Sequence, residues 1–224
     1  MTSHSLNRIA VIAAFLTISV PTHPAELAGQ ETVRLSLEHY MDLETVSDPQ
    51  IAPDGSRIAY TRSWFDMVND RRESSLWLMD ADGSRNRHLL DGSGVQWSPD
   101  GTRILFTAPG DPAGAQIHVR WMDAEGATSQ ITRLENGPAN VRWSPDGDWI
   151  AFTSRVDDRA DFAGVSLPDR PDGAQWTAGP KIVERAGYKR DRSGYVDTGW
   201  THLFVVPAEG GTPRQLTSGD WNHN

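Results

Sequence analysis

One tetrapeptide returns at a fixed interval, and that recurrence limits the folds open to this chain. Ala52-Pro53-Asp54-Gly55 is followed by Ser98-Pro99-Asp100-Gly101 and Ser144-Pro145-Asp146-Gly147, each 46 residues after the last. Self-similarity at such a period marks an array of supersecondary units, each too small to bury its own apolar face. Three residues after each Gly comes a short apolar run: Ile58-Ala59-Tyr60-Thr61, Ile104-Leu105-Phe106-Thr107 and Ile150-Ala151-Phe152-Thr153. A second acidic turn follows, Asp80-Ala81-Asp82-Gly83, Asp123-Ala124-Glu125-Gly126 and Pro207-Ala208-Glu209-Gly210. Strand-like stretches precede these turns (Leu76–Met79, Ile117–Met122, Leu203–Val206), and an aliphatic residue comes five or six positions after each Gly: Leu89, Ile131, Leu216.

Pro-Asp-Gly is turn chemistry. Pro presets φ, Asp bonds back to the backbone, and Gly takes positive φ without strain. The runs after it are β-branched or aromatic and only four residues long, which suits a buried strand rather than a helix. An acidic-Gly pair between two such stretches is a hairpin signal. Four strands in 46 residues is one blade of a β-propeller. The expected fold is all-β, a partial β-propeller over residues 35–224 with about three four-stranded blades, near 46–92, 93–138 and 139–221. Gly101 and Gly147 are expected at positive φ, where Ala would cost about 1–2 kcal/mol. Closed propellers have typically four to eight blades. Three blades leave two open edges, so self-association is expected.

The third repeat is interrupted. Gly55 to Gly83 spans 28 residues and Gly101 to Gly126 spans 25, but Gly147 to Gly210 spans 63. The excess lies in 155–200, rich in Asp, Arg and Pro up to Asp172 and followed by Lys181-Ile182-Val183-Glu184-Arg185-Ala186. Two readings of this insertion stand: a solvated excursion, or a loop reaching the propeller mouth or a partner domain. The segment from Lys181 to Ala186 suits a strand or a short helix equally.

The nine Trp now have places. Trp97 and Trp143 precede the second and third Pro-Asp-Gly turns, and Trp77 and Trp121 sit in hairpin strands. They are expected to pack between neighbouring blades, each burying a large apolar area, rather than to form a carbohydrate platform. Asp80, Asp82, Asp100 and Asp146 are expected to cap turns, because their order does not meet that of a calcium loop.

Residues 1–25 stand apart from the repeats. Arg8 precedes a 12-residue apolar run, Ile9 to Val20, closed by Pro21 and Pro24. That run is too short to cross a bilayer and is the length of a signal-peptide core. A signal peptide over 1–25 is expected, with cleavage near Ala25 or Ala28, no membrane span after its removal, and a periplasmic or secreted destination. The absence of Cys excludes disulfides, thiolate metal sites and cysteine nucleophiles. The net charge of −9, or −10 once Arg8 is removed, argues against nucleic acid as a partner.

The residues select no catalytic centre. Gly164-Val165-Ser166-Leu167-Pro168 fails the nucleophile-elbow pattern at its last position. No phosphate loop, dinucleotide fingerprint or metal-binding His pair occurs, and the seven His are scattered. The expectation is no catalytic residue, no metal and no cofactor, with the substrate-binding residues unknown.

Three passages carry a family resemblance. They are Val46-Ser47-Asp48-Pro49-Gln50-Ile51 leading into the first turn, Tyr188-Lys189-Arg190-Asp191-Arg192-Ser193-Gly194-Tyr195, and His202-Leu203-Phe204-Val205-Val206-Pro207 with Gly210-Gly211 and Gln215–Asp220. Over Leu35 to Trp221 the chain resembles the N-terminal propeller of the prolyl oligopeptidase family of serine peptidases, in its dipeptidyl and acylaminoacyl peptidase branch. It departs at Arg192, where that branch often has Gly. The resemblance implies a longer parent whose propeller gates peptide access to an α/β-hydrolase domain carrying Ser, Asp and His. None of those residues has a counterpart here, so the chain is expected to be truncated before the catalytic domain and inactive alone. Some members read the substrate amino terminus with acidic propeller residues, and Glu184 is a loose equivalent with no role assigned. The repeat also occurs in Tol-system propellers, which leaves open a module that binds other proteins.

Overall fold

Each Pro-Asp-Gly turn joins the first two strands of a four-stranded antiparallel sheet. The computed structural model describes residues 34–123, 126–157, 171–177, 183, 186–191, 194–196 and 198–223. The expected signal peptide, Glu184 and most of Lys181–Ala186 lie outside these residues. A short lead-in helix, α1 (Leu37–Met41), was not anticipated. Sheet one holds β1 (Thr45–Ile51), β2 (Arg57–Asp66), β3 (Arg71–Asp80) and β4 (Arg87–Asp91) in chain order. Sheet two holds β5 (Ser93–Trp97), β6 (Arg103–Pro109), β7 (Ala115–Trp121) and β8 (Thr128–Gln130). Sheet three is built from β9 (Ala139–Trp143), β10 (Trp149–Val156), β13 (Trp200–Pro207) and β14 (Arg214–Gln215). A small hairpin of β11 (Lys189–Arg190) and β12 (Gly194–Tyr195) lies in the insertion between β10 and β13. The all-β, three-sheet expectation is borne out, with the insertion in the third. Among the described residues no helix is long and apolar enough to cross a membrane.

The turns have the anticipated chemistry. Gly55, Gly101 and Gly147 have φ of 73°, 71° and 78°. At each, the Gly N–H donates to the carbonyl three residues back, at 2.8, 2.9 and 3.0 Å. A Cβ on Gly101 would sit 3.3 Å from Pro53 Cδ, and one on Gly147 3.5 Å from Pro99 Cδ. Glycine at 101 therefore serves twice, for positive φ and for the close approach of the preceding sheet's proline, while at 147 a Cβ would meet Pro99 at ordinary contact distance and positive φ alone calls for glycine.

The core lies between the sheets, and strand alternation divides it. Successive strand residues point to opposite faces. Ile104 and Phe106 of β6 join Ala59, Leu76, Leu78, Val95 and Trp97 in one cluster between sheets one and two. Leu105, between them in sequence, joins Ile117, Val119, Ile131, Ile150, Phe152 and Val206 in a second cluster between sheets two and three. A strand buried on both faces reads as a continuous apolar run, which is why the runs lack alternation.

Every inner strand is also bulged at one repeat position. Residues 47 and 50 face 61 and 59, residues 93 and 96 face 107 and 105, and residues 139 and 142 face 153 and 151. Two residues thus oppose one each time. The bulge residues Asp48, Gly94 and Asn140 have φ of 51°, 68° and 51°. Asp, Gly and Asn are the residues that tolerate this left-handed conformation best. Their 46-residue spacing is the period of the Pro-Asp-Gly turns.

Candidate functional site: the seams between sheets

The described residues that do chemistry together sit at the seams. The indole N–H of Trp97 donates across the first seam to Gln50 O at 3.0 Å, and that of Trp143 across the second to Gln96 O at 3.5 Å. Donors and acceptors are both one repeat apart. Each indole lies under an arginine of the preceding sheet, with Arg57 5.0 Å from the Trp97 ring and Arg103 5.2 Å from that of Trp143. Arg103 is 8% exposed. It donates through Nη1 to Glu209 Oε1 at 2.6 Å and through Nη2 to Gly147 O at 3.2 Å. It also stacks on Trp121 of its own sheet at 5.0 Å. Glu209, in the hairpin turn of sheet three, thereby links sheet three to sheet two. The sequence marked the tryptophans and the acidic turn but not the arginine between them.

Of the other two tryptophans, Trp77 is placed differently from the expectation. Trp77 lies on the face of sheet one away from sheet two, under Arg62 at 4.8 Å and edge-on to His88. Trp121 is 38% exposed. Trp77 does not pack between sheets, because strand alternation turns Leu76 and Leu78 towards the seam, whereas Trp121 shares the face of Ile117 and Val119 and meets the second seam through Arg103.

The turn aspartates are held as carboxylates by their own turns. Ser98 Oγ donates to Asp100 at 2.5 Å and the Thr102 N–H at 3.0 Å. The Ser98 hydroxyl first, then the Thr102 backbone, lower the Asp100 carboxyl to about 2. Asp146 is lowered by Ser144 and the Asp148 N–H, Asp54 by the Ser56 backbone and hydroxyl, and Asp82 by the Ser84 hydroxyl and backbone. Such contacts are caps, in which a backbone N–H takes the place a metal would have. Among the described residues no three His, Asp or Glu converge to hold an ion.

Among the described residues His88 Nε2 meets a carboxylate, Asp91 Oδ1, at 3.2 Å; that contact is exposed, and no hydroxyl bonds to the ring. Burial lowers the His118 imidazole, which stacks on Phe106 at 5.4 Å. His202 is buried, with its Nδ1 3.4 Å from Thr217 Oγ1. That hydroxyl already accepts the Leu203 N–H at 3.0 Å, and among the described residues no carboxylate orients the ring. Two open hollows lie on sheet one. One of about 620 Å³ is bounded by Ser56, Arg57, Asp80 and Arg85, and one of about 380 Å³ by Glu44, Arg62, Trp64, Ser75, Trp77 and His88. Neither joins a nucleophile to a base.

Stacked four-stranded antiparallel sheets with an indole–guanidinium seam define a partial β-propeller. No protein-family profile matches the chain. It is 30% identical over 184 residues to the uncharacterized peptidase YuxL of Bacillus subtilis (strain 168), covering 80% of this chain and 27% of that protein. Among solved structures, an acylaminoacyl peptidase of Pyrococcus horikoshii superposes with a TM-score of 0.59 at 18% identity, over 79% of this chain and 25% of that one. An acylaminoacyl peptidase in complex with Z-Gly-Gly-Phe-chloromethyl ketone gives 0.57 at 16% identity, over 79% and 26%. The structural likenesses establish the fold, and the sequence likeness is to a peptidase. The resemblance to the peptidase propellers is thereby borne out. The chain spans about a quarter of the length of these relatives.

Proposed function

We propose that this chain is the propeller part of an exported serine peptidase of the prolyl oligopeptidase type, with dipeptidyl or acylaminoacyl specificity. In that role it gates peptide access to an α/β-hydrolase domain and contributes no catalytic group. The observation that carries the reading is the 184-residue match to a peptidase, confined to about a quarter of that protein. The seams support it, since they spend the charged and aromatic groups of the repeat on holding sheets together. Export rests on the signal-like segment over 1–25 alone.

The test is at the level of the gene. An in-frame α/β-hydrolase segment with Gly-x-Ser-x-Gly downstream of Asn224 is expected. A stop codon preceded only by more propeller repeats would sink the reading. On the purified 224-residue chain, no hydrolysis of aminoacyl or acylaminoacyl nitroanilides is expected. Turnover sensitive to a serine-directed inhibitor would overturn that part. Export is checked by amino-terminal sequencing of the mature protein, which should begin just after Ala25 or Ala28.

A further inference from the structure

An Asp or Asn followed by Gly carries a built-in reaction. The glycine amide nitrogen can attack the side-chain carbonyl carbon, because no Cβ hinders its approach. The repeat is full of such pairs, and its turns disarm them. In Asp54-Gly55, Asp82-Gly83, Asp91-Gly92, Asp100-Gly101 and Asp146-Gly147 the glycine N–H already donates to a backbone carbonyl, at 2.8 to 3.1 Å. Asp54, Asp82, Asp100 and Asp146 are also held from the other side, each accepting the N–H two residues on. An ionised carboxylate is moreover a poor electrophile.

Asn136-Gly137 has none of these protections. It is the chain's only Asn-Gly pair, and it lies in the irregular connection between β8 and β9. Gly137 is exposed, and among the described residues its N–H has no acceptor. Asn136 offers a neutral amide as the electrophile. It is also a tie. Its Nδ2 donates to Arg155 O at 3.1 Å, and its own carbonyl accepts Ser154 Oγ at 2.9 Å. Arg155 donates in turn to Thr198 O and Gly199 O. Asn136 thus joins the connection between sheets two and three to both stalks of the insertion.

We propose that Asn136 is a site of spontaneous deamidation whose product loosens the base of the insertion. The Gly137 nitrogen forms a bond to Asn136 Cγ, and its proton passes through water to the side-chain nitrogen. The Cγ–Nδ2 bond breaks and ammonia departs, leaving a five-membered succinimide. Water then opens that ring at either carbonyl, giving aspartate or isoaspartate at position 136. Water is the one co-reactant. The product sets a carboxylate against Arg155 O where an N–H donor stood, so the bond is lost. Isoaspartate also adds a backbone carbon beside the carbonyl that Ser154 holds.

Ageing the folded 224-residue chain in mildly alkaline buffer, followed by peptide mass mapping, tests this. Trypsin cuts after Arg133 and Arg142, so one peptide carries both Asn136 and Asn140. Asn140 is the internal control, since its Nδ2 is bonded to Thr153 Oγ1 and the next residue is the β-branched Val141. The peptide should gain the mass difference of an acid over an amide at 136 and not at 140. Isoaspartate should appear there before it appears at the five bonded Asp-Gly pairs, and unfolding in urea should remove that lead. Gly137→Ala, whose Cβ would meet Ala115 Cβ at an ordinary 3.4 Å, should slow the gain severalfold. Brief trypsin treatment of the native protein should cut between Arg155 and Trp200 faster after ageing, and Asn136→Asp should show the faster cutting from the start. Should Asn136→Asp misfold by near-ultraviolet dichroism, aged against fresh wild-type protein makes the same comparison. No gain at 136, an equal gain at 140, or isoaspartate as fast at the turn pairs overturns the proposal. A gain at 136 that leaves the cutting unchanged overturns its link to the insertion.

Discussion

At the residue scale, the third position of the bulge logic separates Thr61 from its counterparts. Thr107 Oγ1 donates to Ser93 O at 3.1 Å, and Thr153 Oγ1 to Ala139 O at 3.2 Å while accepting from Asn140 Nδ2 at 3.1 Å. These bonds pin the inner-strand bulge. Thr61 has the same place in the repeat, yet its hydroxyl is buried without a partner. An unmet buried hydroxyl is a cost, whereas a met one is a modest gain. Thr61→Val is therefore expected to stabilise by about 1 kcal/mol and Thr153→Val to destabilise by about 1 kcal/mol or more, read from urea midpoints. Equal effects of the two changes would refute the pinning role. Asp100 gives a pH prediction on the same scale. Its folded pKa lies below the unfolded value, so its contribution is complete above about pH 4. It is lost as pH falls through about 2. The wild-type midpoint should drop across that window, and Asp100→Asn should flatten the drop; an unchanged profile would remove the turn from the account of acid stability.

At the scale of elements, the seam is held by one buried side chain more than by its ion pair. The Glu209 side chain is 75% exposed and that of Arg103 is 9%. Glu209→Gln keeps a side-chain oxygen that can accept from Arg103 Nη1, and the guanidinium retains its bond to Gly147 O and its two indole faces, so the change should cost about 1 kcal/mol. Arg103→Met removes the stack between Trp121 and Trp143 and the bond to Gly147 O, and should cost about 2 kcal/mol. Thermal and denaturant melts of both variants distinguish packing from charge; a larger loss for Glu209→Gln would reverse the assignment. The tryptophans and acidic turns of this seam were legible from spacing. Arg103 was not, because Arg is ordinarily a surface residue. Its burial follows from two sheets meeting, which no single repeat reveals.

At the scale of the whole molecule, the insertion leaves the sheet it interrupts undisturbed. β10 and β13 pair without a break from Trp149 with Pro207 to Val156 with Trp200, so the insertion leaves and re-enters at facing residues. Arg155 closes its base by donating to Thr198 O at 3.0 Å and Gly199 O at 3.2 Å. Loop length alone costs little, about 0.6 kcal/mol per doubling. Replacing residues 158–196 with a short Gly/Ser linker should leave the denaturation midpoint within about 1 kcal/mol. Loss of cooperative unfolding would instead make the insertion part of the fold.

The sequence by itself determined the unit and its repetition. Turn chemistry and short apolar runs are local, so Pro-Asp-Gly, the hairpin turns and the strands they join were readable one repeat at a time. What each strand faces was decided only in the tertiary structure. Ile104 and Leu105 are neighbours in the chain and alike in chemistry, yet they enter different cores, because adjacent strand residues point to opposite sides and a sheet here has a neighbour on each. The same packing buries Arg103 and turns Trp77 outward.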